Sequence, residues 1–370
     1  MFAQLRSARR ALFLPLVAVS FSIASCQPQT SQAPTGTEVG GSSASPVAAG
    51  GNNGANVSLT GAGASFPAPL YQRWFSEYNK QHPNVRVSYQ SVGSGAGVEQ
   101  FTQGTVDFAA SDTGMKKEEI AKVSRGAILL PMTAGSIVLA YNLPNVQNSI
   151  KLPRAVYSDI FLGKIKNWND AKIAAANPGV TLPNTPITVI HRSDGSGTTS
   201  VFTKHLSAIS PEWKSKVGDG KTVDWPVGVG AKGNEGVTAQ IQQTQGALGY
   251  TEYGYANQNN LAMATLENKA GNFVEPTPES ASKALAAIEL PADLQASNSD
   301  PAGADSYPIV TYTWLMAYKN YDDPNKAQAI KDVIEYGLTD GQKLSQELGY
   351  VPLPEEVVDK VQAAANQIQS

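Results

Sequence analysis

A chain of 370 residues is long enough for about two domains, and a folded portion near 300 residues would bury roughly three quarters of the surface its unfolded form exposes, so no disulfide or metal staple is required. The 28 basic and 31 acidic residues give a formal charge of -3, and setting aside Arg6, Arg9 and Arg10 as part of a removable leader leaves 25 basic against 31 acidic residues, or -6. A mature chain of that balance lacks the basic surface on which nucleic-acid binding depends, so no nucleic-acid partner is expected.

The first 25 residues read as an export signal: a basic start ending at Arg10, then an apolar stretch from Ala11 to Ser25 broken by Pro15. That stretch is shorter than the about 20 apolar residues a membrane span needs. Ile23-Ala24-Ser25-Cys26 resembles the bacterial lipobox, in which the cysteine is lipidated and becomes the new N-terminus. Residues 1–25 are therefore expected to be removed and Cys26 to carry a lipid; as the only cysteine in the chain, it allows no intrachain disulfide.

Residues 26–56 follow as a tether. Gln27 to Asn56 is rich in Gly, Ser, Ala, Pro and Thr, with Glu38 its only charge and Val39 and Val47 its only large aliphatics. Such a segment cannot bury enough apolar surface to offset its ordering entropy. A chain starting at Asn56 should consequently bind its ligand as tightly as one starting at Gln27; a tenfold loss in a calorimetric titration would show that the segment folds against the body.

From Val57 onward, short apolar or alternating runs ("VSLT", "VRVSYQ", "VDFAA", "ITVI") alternate with helical patterns. Pro67 to Asn79 carries Leu70, Tyr71, Trp74, Phe75 and Tyr78 in the i, i+1, i+4, i+5, i+8 spacing of an amphipathic helix, with a proline suited to its first turn. Ile330, Val333, Ile334 and Leu338 make a similar stripe. "KKEE" at Lys116 to Glu119 reads as a solvated helix face. Strand and helix alternating in this way predict an α/β architecture.

Three glycine-rich stretches, "TGAGASFPAPLYQRWF", "SVGSGAGVEQF" and "RSDGSGTTSVF", each follow a strand, pass through small residues and hydroxyls, and open a helix. Each should present free backbone N–H groups and the positive end of a helix dipole, the outline of an anion site. Other chemistry fits less well. Gly228-x-Gly230-x-x-Gly233 matches a dinucleotide fingerprint, with Glu252 where a ribose-binding acid could fall, but Pro226 interrupts the strand it requires. Ser196 and Ser94 lack the flanking glycines of a serine-hydrolase elbow. His82, His191 and His205 are the only histidines, and no His or Cys cluster has metal-ligand spacing. No catalytic residue, metal or cofactor is expected.

"LTGAGASFPAPLY", "GSGAG", "VDFAASD", "LGKIKNWND", "RSDGSGTT" and "GAKGNEGV" occur in one order from about Leu59 to Val237, with "WPVG", "GALGYTEY" and "YPIVTYT" extending the pattern. The set resembles the motifs of the periplasmic phosphate-binding lipoproteins (the PstS family) that feed the bacterial high-affinity phosphate ABC transporter. The resemblance implies a two-lobed periplasmic-binding fold of type II, each lobe an α/β sheet flanked by helices, with the ligand in the interlobe cleft. It implies phosphate contacts from Ser65, Phe66, Ser94, Asp112, Arg192, Ser196, Gly197 and Thr198, with Asp194 orienting the arginine. Ser65 stands where threonine is commoner and keeps the hydroxyl, whereas Gly95 stands where a second serine is often found and loses one.

Crossings between lobes are expected near "GSIVLAYN" (Gly135 to Asn142) and "SYPIVTYTW" (Ser306 to Trp314), which places lobe one at 57–137 plus 308–370 and lobe two at 138–307. The implied protein is not an enzyme. It is an exported monomer, lipid-anchored in the periplasm or at the cell surface, that binds inorganic phosphate and delivers it to transporter permease subunits. A sulfate- or molybdate-binding protein is the nearest alternative; a secreted phosphatase or an adhesion lipoprotein is a more distant one.

Overall fold

Twelve strands in the computed structural model, which describes residues 56–146 and 149–370, set the frame for everything that follows. They are β1 (Val57–Gly63), β2 (Val85–Ser91), β3 (Phe108–Ser111), β4 (Ala127–Tyr141), β5 (Lys151–Leu152), β6 (Thr188–Arg192), β7 (Val229–Ala231), β8 (Ala247–Glu252), β9 (Ala262–Met263), β10 (Thr265–Glu267), β11 (Phe273–Val274) and β12 (Val310–Tyr318). The export signal, Cys26 and the tether up to residue 55 lie outside the described residues. Among the described residues, no helix is long and apolar enough to cross a membrane.

The main sheet runs β2-β1-β3-β12-β4-β8-β6-β7, with β9 against β4, and a small sheet β11-β10-β5 lies apart. Two parallel triads, β2-β1-β3 and β8-β6-β7, flank the antiparallel pair β12/β4. β4 is long enough to serve both sides: Ala127 to Ser136 pair with β12, and Ile137 to Tyr141 pair with β8. Its residues are buried from Ile128 to Tyr141, as an almost uninterrupted apolar run requires when both faces are covered.

Helices pack where their apolar stripes dictate. Ala68–Gln81, with Pro67 at its N-cap, buries Leu70, Tyr71, Trp74, Phe75 and Tyr78, and Pro324–Leu338 buries Ile330, Val333, Ile334 and Leu338. Trp74 also donates from its ring nitrogen to the Gly341 carbonyl at 2.7 Å, which satisfies the one polar atom of a ring otherwise in the core. Helix Lys117–Ile120 buries nothing, in keeping with a solvated face.

The first glycine-rich stretch departs from the reading of a loop between strand and helix, because β1 continues through Gly63 and only Ala64 to Pro67 remain as the turn. The fingerprint-like glycines also find a different use. Gly230 lies inside β7, Gly233 opens helix Gly233–Gln243, and Glu252 is fully buried with its carboxylate accepting from the backbone N–H groups of Gly254 and Tyr255. A carboxylate spent on its own helix start is not presented to a ribose. Burial pushes this carboxyl up to about 8 in spite of those two bonds.

Candidate functional site

The two parallel triads point their carboxyl ends at one another, the place where α/β sheets collect ligands. β1 delivers Ser65 and Phe66, β2 leads into Gly93 and Ser94, β3 ends just before Asp112, and β6 ends on Arg192. All eight residues anticipated as anion contacts are buried, and contacts across the cleft bring most of them together. Thr198 donates from its hydroxyl to Asp112 Oδ2 at 3.3 Å, Arg192 Nη1 lies 3.4 Å from Thr198 Oγ1, and the Asp112 backbone N–H donates to Ser94 Oγ at 3.3 Å. A Cβ on Gly197 would come within 2.4 Å of Ser94 Oγ and 2.7 Å of Asp112 Oδ2, so only glycine lets this helix start approach so closely.

Arg192 and Asp194 form a fork: Nε to Oδ1 at 2.7 Å and Nη2 to Oδ2 at 2.5 Å. Two residues apart at the end of a strand, the pair closes locally, and Asp194 Oδ1 also accepts from the Gly233 N–H at 3.1 Å. Burial works against the Asp194 charge, yet the guanidinium and that backbone donor hold its carboxyl below the usual range. Because Nε and one edge of Nη2 are taken, Nη1 remains the arm of Arg192 that faces Thr198.

Asp112 does not cap the helix after Met115, since that helix begins at Lys117 with Lys116 as its N-cap. Its side chain instead accepts from Thr313 Oγ1 on β12 at 2.9 Å and from Thr198 Oγ1, while Thr311 Oγ1 donates to its backbone carbonyl at 3.1 Å. Burial pushes the carboxyl up to about 6; Thr313, Arg192, Thr198 and Lys221 each pull the other way. Asp112 also lines a cavity shared with Thr113, Lys204, Gln295, Thr311 and Trp314.

Ser196 and Phe66 are placed differently from the rest. Ser196 Oγ accepts from the Thr199 N–H at 3.0 Å and so caps helix Gly197–Ile209. The Phe66 ring is in the core near Tyr350, whose hydroxyl donates to the Phe66 carbonyl at 2.7 Å. Gly95, which has no hydroxyl to offer, meets the opposite loop by backbone alone: its N–H donates to the Gly195 carbonyl at 2.8 Å. Gly93 at φ 90° completes that approach, since a Cβ there would lie 2.3 Å from Asp194 Oδ2.

Sequence reasoning passed over Asn234, Thr311, Thr313 and Tyr255. Asn234 is fully buried and bonds to both Ser65 and Thr198, and the Tyr255 hydroxyl donates to the Ser65 carbonyl at 2.8 Å. A signal for Asn234 was available: "GAKGNEGV" repeats the order of strand, glycine and helix start seen in the other three stretches. The threonines of β12 lie in "YPIVTYT", part of the family pattern, but nothing in that run singles them out as site residues. Gly220-Lys221-Thr222 has the closing triplet of a phosphate-cradling P-loop, but Ser215 stands where its first glycine belongs and helix Pro211–Lys216, not a strand, comes before it. The Lys221 carbonyl instead accepts from the Ser196 N–H at 2.8 Å.

Chemically the site is a set of donors around one acceptor. Hydroxyls, a guanidinium arm and the starts of helices Ser94–Gln103 and Gly197–Ile209 favour an oxyanion, and the Asp112 carboxylate, which unlike Asp194 is not ion-paired with Arg192, suits an oxyanion that still carries a proton.

The PBP superfamily domain model matches residues 30–340. The phosphate-binding protein PstS of Pasteurella multocida is 46% identical over 82% of this chain and 89% of its own length, and that of Haemophilus influenzae is 43% identical over 83% and 92%. Among solved structures, a putative phosphate ABC transporter substrate-binding protein with bound phosphate from Clostridium perfringens aligns with a TM-score of 0.60 over 80% of this chain and all of that one; at 19% identity the likeness is one of fold. A two-lobed binding fold, a donor-rich cleft and relatives of this similarity lead to one conclusion: the chain belongs to the PstS family of phosphate-binding proteins.

Proposed function

We propose that the protein binds inorganic phosphate in the cleft between its two lobes and hands it to the permease of an ABC transporter. The observation that carries this reading is the buried Arg192–Asp194 fork, held beside Thr198 and Asp112 at the start of a helix. A guanidinium with a free arm, hydroxyls and helix-start amides supply donors, and Asp112 supplies the acceptor for a phosphate proton. In this reading Ser65, Phe66, Ser94, Asp112, Arg192, Ser196, Gly197 and Thr198 contact the anion and Asp194 orients Arg192.

The change of partner along β4 between Ser136 and Ile137 supports a lobe one of 57–137 plus 308–370 and a lobe two of 138–307. A binding rather than an enzymatic role is supported by the surroundings of the histidines. His191 Nδ1 pairs with the Arg192 carbonyl, and His205 is enclosed between Tyr157 and the Ser299 carbonyl, so neither faces a serine of the cleft. Export, lipidation at Cys26 and a monomeric state complete the reading.

A melting-temperature screen against phosphate, sulfate, molybdate, arsenate and phosphate esters tests it. Phosphate should raise the melting temperature and give a saturable calorimetric titration. A protein indifferent to phosphate, or one stabilised more by sulfate or molybdate, would overturn the assignment.

A further inference from the structure

Building on that phosphate reading, we propose that Asn234 is a positioning residue that sets the polarity of the site: it fills acceptor positions on the Ser65 and Thr198 hydroxyls, so that Ser65 is left to donate toward the bound oxyanion and Thr198 to donate to Asp112, the acceptor for the phosphate proton.

The argument begins with the orientation of the Asn234 amide. Its Oδ1 lies 3.1 Å from the Glu252 backbone N–H, a group that can only donate, and 3.2 Å from the Thr251 hydroxyl. The oxygen end is thereby settled, and Nδ2 points the other way. Its two hydrogens go to Ser65 Oγ at 2.8 Å and Thr198 Oγ1 at 3.2 Å. Ser65 Oγ also receives the Asn234 backbone N–H at 3.0 Å.

A serine hydroxyl has two lone pairs and one hydrogen. With both lone pairs of Ser65 taken by Asn234, only the O–H is left, and it can do nothing but donate. Thr198 is in the same position. Its oxygen receives from Asn234 Nδ2 and from Arg192 Nη1, and its hydrogen goes to Asp112 Oδ2. An oxyanion offers acceptors, so a hydroxyl free to rotate would forfeit part of its contribution in ordering. Asn234 removes that freedom as the lobes meet.

The same residue joins the two sides of the cleft. Ser65 follows β1, whereas Asn234 and Thr198 lie in helices that follow β7 and β6. Asn234 is 0% exposed, so its bonds to Ser65 are not shared with solvent. These bonds form only when the lobes come together, which places their loss in the dissociation rate.

The test uses the full chain with phosphate as probe, in isothermal titration and stopped-flow measurements. Asn234→Asp keeps the acceptor for the Glu252 N–H but replaces the donor by an oxygen that draws the Ser65 and Thr198 hydrogens toward itself. It should weaken phosphate binding by about 100-fold or more, mainly through faster release. Asn234→Ala removes the side-chain donors, keeps the backbone N–H on Ser65 and reverses nothing, and should weaken binding by about 10- to 100-fold; it preserves the test if the buried carboxylate of the Asp variant prevents folding. In a Ser65→Ala background the loss from either substitution should shrink severalfold, because one of the two hydroxyls it acts through is gone.

Undiminished affinity in both variants would overturn the proposal. So would an equal loss with and without the Ser65 hydroxyl, which would make Asn234 a brace and nothing else. Wild-type protein that fails to bind phosphate would bring down the reading of the site itself, an outcome distinct from a wild type that binds and variants that bind equally well.

Discussion

Replacing Arg192 by methionine is expected to weaken phosphate binding by about 10- to 1000-fold, since charge-assisted hydrogen bonds contribute roughly 1.5 to 3 kcal/mol each. The structure sharpens the reason. The Arg192 side chain is 1% exposed, and its Nε edge is committed to Asp194, so the arm toward Thr198 is held in one direction before any ligand binds. Methionine would remove the cation and also leave Asp194 with the Gly233 N–H as its remaining cross-loop donor. A drop in melting temperature should therefore accompany the loss of affinity, and Asp194→Asn added to Arg192→Met should recover part of the stability but none of the binding. Lysine should not restore binding fully, because a single ammonium cannot pair with both Asp194 oxygens and still present a second arm. Normal phosphate binding by Arg192→Met would mean that the anion lies elsewhere.

Asp112→Asn should change selectivity more than affinity. The carboxylate is buried, and its two oxygens accept from Thr313 and Thr198. Phosphate near neutral pH retains at least one proton and can donate it to Asp112, whereas sulfate has none and would set an oxygen against a buried charge. The wild type should then prefer phosphate strongly. Asparagine keeps an acceptor for Thr313 but offers N–H groups where Oδ2 stood, and the phosphate-to-sulfate ratio should narrow by about 10- to 100-fold, chiefly by admitting sulfate.

Because burial raises the Asp112 carboxyl to about 6, acidification should have the same effect on the wild type. Above that pH the group is ionised and repels sulfate; as pH falls through it, the carboxyl gains a hydrogen to donate and sulfate affinity should rise. The Asn variant has no such proton to gain and should show no rise from this cause. Competition titrations of both proteins near pH 7.5 and pH 5 decide the matter: an unchanged ratio in the variant would leave Asp112 without a selective role.

How much of this was legible in the chain depended on sequence distance. The stripe Leu70, Tyr71, Trp74, Phe75 and Tyr78 specified both a helix and its buried face, because helical periodicity is a local property. The helix starts at Ser94 and Gly197 were announced by glycine and hydroxyls, and the Arg192–Asp194 pair by the family pattern, which their separation of two residues at a strand end permits. The family pattern supplied the remaining anticipated contacts. Asp112 was the hardest to read, because a carboxylate near a helix start has an ordinary use as a cap.

What the tertiary structure decided was which distant groups share a partner. Asp112 lies 201 residues from Thr313 and is joined to it because β12 inserts antiparallel between β3 and β4, an order that no local pattern encodes. Asn234 lies 169 residues from Ser65, and Gly95 meets Gly195 backbone to backbone, only because the two parallel triads present their carboxyl ends to the same cleft. Side-chain chemistry named the groups able to hold an oxyanion. The direction in which each hydroxyl donates, and the burial that raises the Asp112 carboxyl, arise from neighbours that the continuous sheet brings together across the cleft.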